Sequence, residues 1–235
     1  MRLGLGTGST VTHLLDALGE RVRSGLSIVG VPTSARTEAQ ARRLGIPLAT
    51  LDEAPELDLC IDGADEVDSR LDCLKGLGGA CVREKVVAAA SRRLVLIVDE
   101  TKLVDRLGTR APVVVEVIPF ALAPVLRALR DLDPFLRRTT RVEMGRSSGE
   151  TLPRAQKWAD SALAPAAASG LAPAPPYVTD NGNLLLELRT GPIAQPASLA
   201  SRLDSTPGVL DHGLFLGMAH SVYVASASGV RRIDR

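Results

Sequence analysis

Four carboxylates fall within seven residues at the end of an apolar run, Leu59-Cys60-Ile61-Asp62-Gly63-Ala64-Asp65-Glu66-Val67-Asp68. Acids at the carboxyl end of a buried strand stand where open α/β sheets bind their ligands. The same set would suit proton transfer, a divalent cation or a solvated loop. A glycine-rich turn follows, Leu74-Lys75-Gly76-Leu77-Gly78-Gly79-Ala80, and opens into Cys81-Val82-Arg83-Glu84-Lys85. Backbone N–H groups in such a turn converge on an oxyanion, and Lys75 adds positive charge there. Glu84, one turn into the next helix, is placed as a base; its plain alternative is a first-turn acid complementing the helix dipole. The third candidate is Gly4-Leu5-Gly6-Thr7-Gly8-Ser9-Thr10, whose N–H groups and hydroxyls can surround a phosphate at a helix N-terminus. Position 9 is Ser, so G-x-G-x-x-G fails, and Val31-Pro32-Thr33 offers no acidic ribose ligand. A nicotinamide dinucleotide is therefore not expected. Lys102 follows another apolar run, Leu94 to Val98, at the same rim. His13, His212 and His220 share no metal or triad spacing, and Cys60, Cys73 and Cys81 lack the CxxC pattern. No metal centre is expected.

These residues need elements to carry them. Leu3 to Leu5 reads as a strand stub, followed by helical spacing of Val11, Leu14, Leu15, Leu18 and Val22, capped by Ser9 or Thr10. Leu26 to Val31 reads as a strand, Ser34 to Leu44 as a helix, Leu57 to Ile61 as a strand and residues 80–92 as a helix. Leu94 to Val98 and Val113 to Ile118 read as strands, with a helix at 119–131. Asp180-Asn181-Gly182-Asn183 reads as a hairpin turn. A helix at 196–204 and strands at Gly213 to Phe215 and Ser221 to Ala225 close the chain. One strand is expected near Thr140 to Met144. The stretch 161–176 has seven Ala and four Pro in sixteen residues, a linker composition, and 145–176 reads as a flexible insertion.

Composition narrows the classes. The 235 residues carry 28 basic and 27 acidic side chains, a net charge of +1 that gives no field for holding a nucleic acid. Only four of the basic residues are Lys, and Lys75, Lys85 and Lys102 lie within 28 residues of one another. With one Trp, two Tyr and three Phe, the core rests on Ala, Leu and Val. No apolar run approaches the ~18 residues of a membrane span, and the N-terminus lacks a signal-peptide stretch. A cytoplasmic protein is expected.

Taken in order, GLGTGST, VPTSARTEAQARRLGIPL, IDGADEVD, LKGLGGACVREK, VEVIP, VTDNGN and PGVLDHGLFLGMA resemble the type A ribose-5-phosphate isomerases over about residues 3–131 and 177–233. The resemblance implies an aldose–ketose isomerase that interconverts ribose 5-phosphate and ribulose 5-phosphate through an enediolate, in the non-oxidative pentose phosphate pathway, without metal or organic cofactor. It makes Thr7, Gly8, Ser9 and Thr10 the first substrate loop and Asp62, Gly63, Ala64 and Asp65 the second. Lys75, Gly76, Leu77 and Gly78 become the third, Glu84 the proton acceptor and Lys102 a further substrate contact. Asp62, Asp65 and Lys75 join Glu84 in the chemistry. It also implies a homodimer or homotetramer. Three departures stand out, one of them that the insertion at 145–176 has no match in the family pattern. About twenty residues, with a lysine-bearing helix, are expected ahead of the first strand, and Leu77 stands at a frequent glycine, where a required positive φ would cost ~1 kcal/mol. The rival readings are a phosphosugar-sensing module without turnover and a truncated, impaired isomerase; retention of Glu84 and Lys75 favours the enzyme. The expected fold is α/β. A Rossmann-like parallel sheet with helices on both faces spans 1–112 and 220–235, and a smaller α+β domain spans 113–219.

Overall fold

In the computed structural model, residues 1–133, 136–138 and 176–235 are described. A six-stranded sheet is built from β1 (Arg2–Leu5), β2 (Val29–Pro32), β3 (Leu59–Asp62), β6 (Leu94–Asp99), β12 (Ala219–Ser226) and β13 (Gly229–Asp234). Its order is β13-β12-β6-β3-β1-β2, parallel throughout except for the β12–β13 hairpin. Helices α1 (Ser9–Arg23) and α2 (Ala35–Arg43) lie in the crossovers flanking β2, and α3 (Cys81–Ala89) precedes β6. Alternation along β1 sends Leu3 and Leu5 into a core with Val11 and Leu15 of α1 and Ala41 of α2. Gly4 points the other way, where an added Cβ would lie 2.6 Å from Val87 of α3. Helices thus cover both faces, as expected.

A second, antiparallel sheet has the order β10-β7-β9-β8, from β7 (Val113–Val117), β8 (Arg137–Arg138), β9 (Leu184–Leu188) and β10 (Val209–His212). Helices α4 (Leu122–Ala128) and α5 (Pro196–Asp204) add Leu122, Val125, Leu199 and Leu203 to its core. Three short strands, β4 (Glu66–Val67), β5 (Cys73–Leu74) and β11 (Leu214–Phe215), form a third sheet that carries the acidic loop and Lys75.

Several expectations change. The second strand begins at Val29, not Leu26. The 119–131 helix is a 3₁₀ turn at Pro119–Ala121 followed by α4, ending at Ala128. Neither Ser9 nor Thr10 caps α1; Gly8 occupies that position, with no side-chain bond to the helix. By contrast, Ser34 caps α2 by accepting from Thr37 N at 3.1 Å. The turn before β9 is as read, with Gly182 at φ +81° and its N–H on Thr179 O. The strand near Thr140 to Met144 and residues 145–175 lie outside the described residues. Among the described residues no helix is long and apolar enough to cross a membrane.

Candidate active site

Strand order reverses between β1 and β3, since β1 leads to β2 on one side while β3 leads to β6 on the other. The carboxyl ends of these neighbouring strands are therefore the switch point of the sheet, the usual ligand position in such folds. The first and second candidate loops leave from these two ends.

Asp62 closes β3 and is fully buried. Its Oδ1 accepts from Gly63 N at 2.7 Å and Thr7 N at 3.1 Å, joining the first loop to the second. Gly6 permits this, because a Cβ there would lie 2.1 Å from Asp62 Oδ1. Asp65 then holds the third loop: its N–H bonds Leu74 O at 2.7 Å and its Oδ2 accepts from Leu77 N at 3.1 Å. The left-handed conformations in that loop belong to Gly76 and Gly79, at φ +108° and +85°. Leu77 is not among the positive-φ residues, so it carries no such cost.

Lys75 follows β5 directly and is only 3% exposed. Its Nζ bonds Gly63 O at 2.7 Å and pairs with Asp62 Oδ2 at 2.9 Å and Glu84 Oε2 at 3.2 Å. Glu84 lies in the first turn of α3, 2% exposed. One buried cation thus faces two buried carboxylates. Burial disfavours a charged Lys75, yet Asp62 and Glu84 outweigh it and hold the ammonium more basic than an ordinary lysine. Glu84 is driven instead toward its neutral form. Burial, then the charges of Asp62 and Asp65, push its pKa up to about 8 against the pull of Lys75. Burial also raises Asp65, opposed by the Leu77 N–H and by Lys75 and Lys102. A carboxyl titrating near 8 beside a fixed ammonium is suited to taking a proton from carbon while the cation steadies a developing oxyanion.

The four acids of the 62–68 loop do not converge on a common centre. Glu66 accepts from Gly108, Arg110 and Ala111 N–H groups, and Asp68 from those of Arg70 and Asp72. The cation reading of this loop therefore has no geometry behind it. Thr7 also differs from expectation. Its buried hydroxyl lies 2.7 Å from Thr33 Oγ1 and 2.8 Å from Ser34 Oγ, so it braces the loop against α2. Ser9 and Thr10 are exposed on the first turn of the 15-residue α1, where uncapped N–H groups face outward. Gly78 approaches the same loop, its would-be Cβ 3.4 Å from Thr7 Cγ2. Gly63 and Ala64 continue from Asp62 as half-buried backbone.

Lys102 sits half-buried in the 3₁₀ turn after β6, beside a cavity of about 600 Å³ that Asp65 and Leu77 also line. Arg110 and Arg189 line it too, and the sequence reading missed both. Nothing in their local sequence marks them; the topology brings a loop and a strand end to the Asp65 side. Phe215 was missed as well, although its ring centroid is 5.5 Å from Lys75 Nζ.

Known proteins are similar to this chain in sequence and fold. The family model for ribose 5-phosphate isomerase A (phosphoriboisomerase A) matches residues 29–152 and 160–229. A ribose-5-phosphate isomerase A of Rhodopseudomonas palustris (strain TIE-1) is 48% identical over all 235 residues, covering 90% of that protein. One from Gloeobacter violaceus is 46% identical, covering 98% of this chain and 87% of its own. Among solved structures, a D-ribose-5-phosphate isomerase in complex with phospho-erythronic acid superposes with a TM-score of 0.83. It is 33% identical and covers 100% of this chain and 91% of its own. The ribose 5-phosphate isomerase A of Methanocaldococcus jannaschii gives 0.81 at 32% identity, with the same coverages.

Proposed function

The chain belongs to the ribose 5-phosphate isomerase A family, and from that premise we infer that it interconverts ribose 5-phosphate and ribulose 5-phosphate with Glu84 as the base. The buried Asp62–Lys75–Glu84 cluster carries this reading. Glu84 takes the proton from C2 of the open-chain aldose and returns it to C1 of the enediolate. One carboxylate within reach of both carbons suffices, and a pKa of about 8 keeps its affinity for the proton matched to both directions. Lys75, held in place by Gly63 O and Asp62, stabilises the negative oxygen that forms. Asp62 and Asp65 orient sugar hydroxyls and exchange protons with them during ring opening. The phosphate sits at the start of α1, on the N–H groups of Gly8, Ser9 and Thr10 and their two hydroxyls, where the helix dipole favours a dianion. Gly76, Leu77 and Gly78 frame the reacting end, and Lys102 meets the substrate from the Asp65 side. The wider reading places the reaction in the pentose phosphate pathway, in the cytoplasm, in a dimer or tetramer.

The test is Glu84→Gln assayed in deuterium oxide. Loss of at least ~10²-fold in kcat, together with loss of solvent deuterium incorporation at C1 and C2, is expected. Near-normal turnover by that variant would remove Glu84 from the mechanism.

A further inference from the structure

Lys85 immediately follows the base, but its side chain leaves the site. Its Nζ meets Asp211 Oδ1 at 2.5 Å and the His212 carbonyl at 2.6 Å, and the side chain is only 17% exposed. Charge-assisted bonds in so enclosed a place are stronger than surface pairs. The same stretch of chain also holds the other half of the catalytic pair. Gly213 O accepts from Lys75 N at 2.9 Å, and Gly213 N donates to Val114 O at 2.7 Å, tying the stretch to β7. The Phe215 ring, fully buried, lies 5.0 Å from Lys85 Nζ and 5.5 Å from Lys75 Nζ. Residues 211–215 thus grip the backbone beneath Lys75 and the side chain beside Glu84 at once.

His212 makes the grip rigid. It is 3% exposed, its Nδ1 accepts from Leu214 N at 3.2 Å, and its Nε2 faces Asp204 Oδ1 of α5 at 3.1 Å. Burial, then the Lys85 charge, lowers its pKa, so the ring is neutral and does not repel the ammonium. The ligand atoms of Asp204, Asp211 and His212 lie within 4.8 Å of one another. However, an Nδ1 that accepts leaves the proton on Nε2, and Lys85 already neutralises Asp211. This is an anchor, not a metal site.

We propose that Lys85, clamped by Asp211 and the His212 carbonyl, is a positioning residue for the isomerisation. It pins α3 to the 211–215 strap and thereby fixes Glu84 at its distance from Lys75. The proposal rests on Glu84 being the base.

Lys85→Met keeps the stem against Phe215 and removes the charge, and Asp211→Asn keeps the shape at a 19%-exposed side chain. Each is expected to lower kcat ~10-fold or more with KM within twofold, and the double variant should fall no further than the worse single one. A smaller folded fraction would give the same split, and losing the Lys85 cation would by itself move the acid limb upward, so the decisive reading is the acid limb of kcat/KM in Asp211→Asn, where an anion is lost instead. Glu84 drifting from Lys75 loses the charge that most favours its ionised form, while burial, Asp62 and Asp65 still oppose ionisation. The limb therefore moves to higher pH. The other titratable neighbours do not mask this shift, because burial raises the Cys60 and Cys81 thiols and lowers His212, keeping all three neutral. Unchanged kcat, or a fall with an unmoved limb, overturns the proposal. If Lys85→Met does not fold, Asp211→Asn decides alone. Glu84→Gln, run alongside, separates the two claims: full activity there sinks the base assignment, whereas an inactive Glu84→Gln beside a normal Lys85→Met sinks only the positioning role.

Discussion

Glu84→Gln should make the fold more stable at alkaline pH even as it stops turnover. Glu84 is 2% exposed, and its pKa is raised from 4.5 to about 8, first by burial and then by Asp62 and Asp65, against Lys75. A carboxyl whose pKa is higher folded than unfolded binds its proton more tightly in the native state. Its stabilising contribution is complete below about pH 4.5 and is lost as pH rises through the folded value. At about 1.4 kcal/mol per unit, the loss across that window is on the order of 5 kcal/mol. Gln preserves the volume and removes the titration. Below the folded value the parent's own carboxyl is protonated, so Gln gives up little against Lys75, which keeps Asp62 and Gly63 O; above it, the attraction lost is already counted in the folded pKa of about 8. The variant should be close to the parent in stability at pH 5 and clearly more stable at pH 9. The assay is urea unfolding followed by circular dichroism from pH 5 to 9 at one protein concentration. The stability difference should grow by ~1.4 kcal/mol per pH unit and level off above pH 8. Parallel curves across that range would refute the raised pKa and, with it, the account of how the base is tuned.

Lys75→Met should abolish turnover and leave Asp62 and Glu84 as buried, uncompensated acids. The expected cost is about 3–5 kcal/mol at pH 8, relieved at pH 5, where Glu84 is protonated; thermal unfolding at the two pH values checks it, and an equal loss at both would contradict the pairing. Ser9→Ala should raise KM several-fold with kcat within twofold. Because Ser9 is exposed and caps nothing, stability should change by less than ~0.5 kcal/mol. Inorganic phosphate should compete with substrate, and equal use of unphosphorylated ribose would show that the α1 terminus does not hold the phosphate.

Much of the candidate site was legible because its elements are local. Asp62 closes an apolar run, Lys75 sits in a glycine turn and Glu84 one turn into a helix, so each residue's element could be read from its neighbours in sequence. Strand order then did the assembly: a parallel sheet that reverses direction between β1 and β3 brings the loops after Leu5 and Asp62 side by side. The α1 cap was misjudged for a related reason. Ser and Thr favour that position in general, but here Gly8 takes it at φ +127°, leaving Ser9 and Thr10 exposed in the first helical turn. Thr7 looked like its neighbours in sequence and faces the other way, toward Thr33 and Ser34, whose positions only the β1–β2 register fixes.

What escaped the sequence reading are contacts made by strands too short to show a period. Strands β4, β5 and β11 have two residues each, and although Gly213 to Phe215 reads as a strand, two residues carry no signal of which partner they pair with. Yet their pairing decides where the cation goes. Phe215 pairs with Cys73 and Leu214 with Leu74, so Lys75 must follow at the level of Gly213. An added Cβ at Gly213 would lie 2.2 Å from Lys75 O, so this close approach is what the glycine of the LDHGLF segment permits. The two ammonium groups near Phe215 come from opposite sides of the turn that separates residues 75 and 85, and the aspartate that holds Lys85 lies 126 residues away. A base is recognised by the residues around it in sequence. The distance that makes it work is set by residues that meet it only after folding.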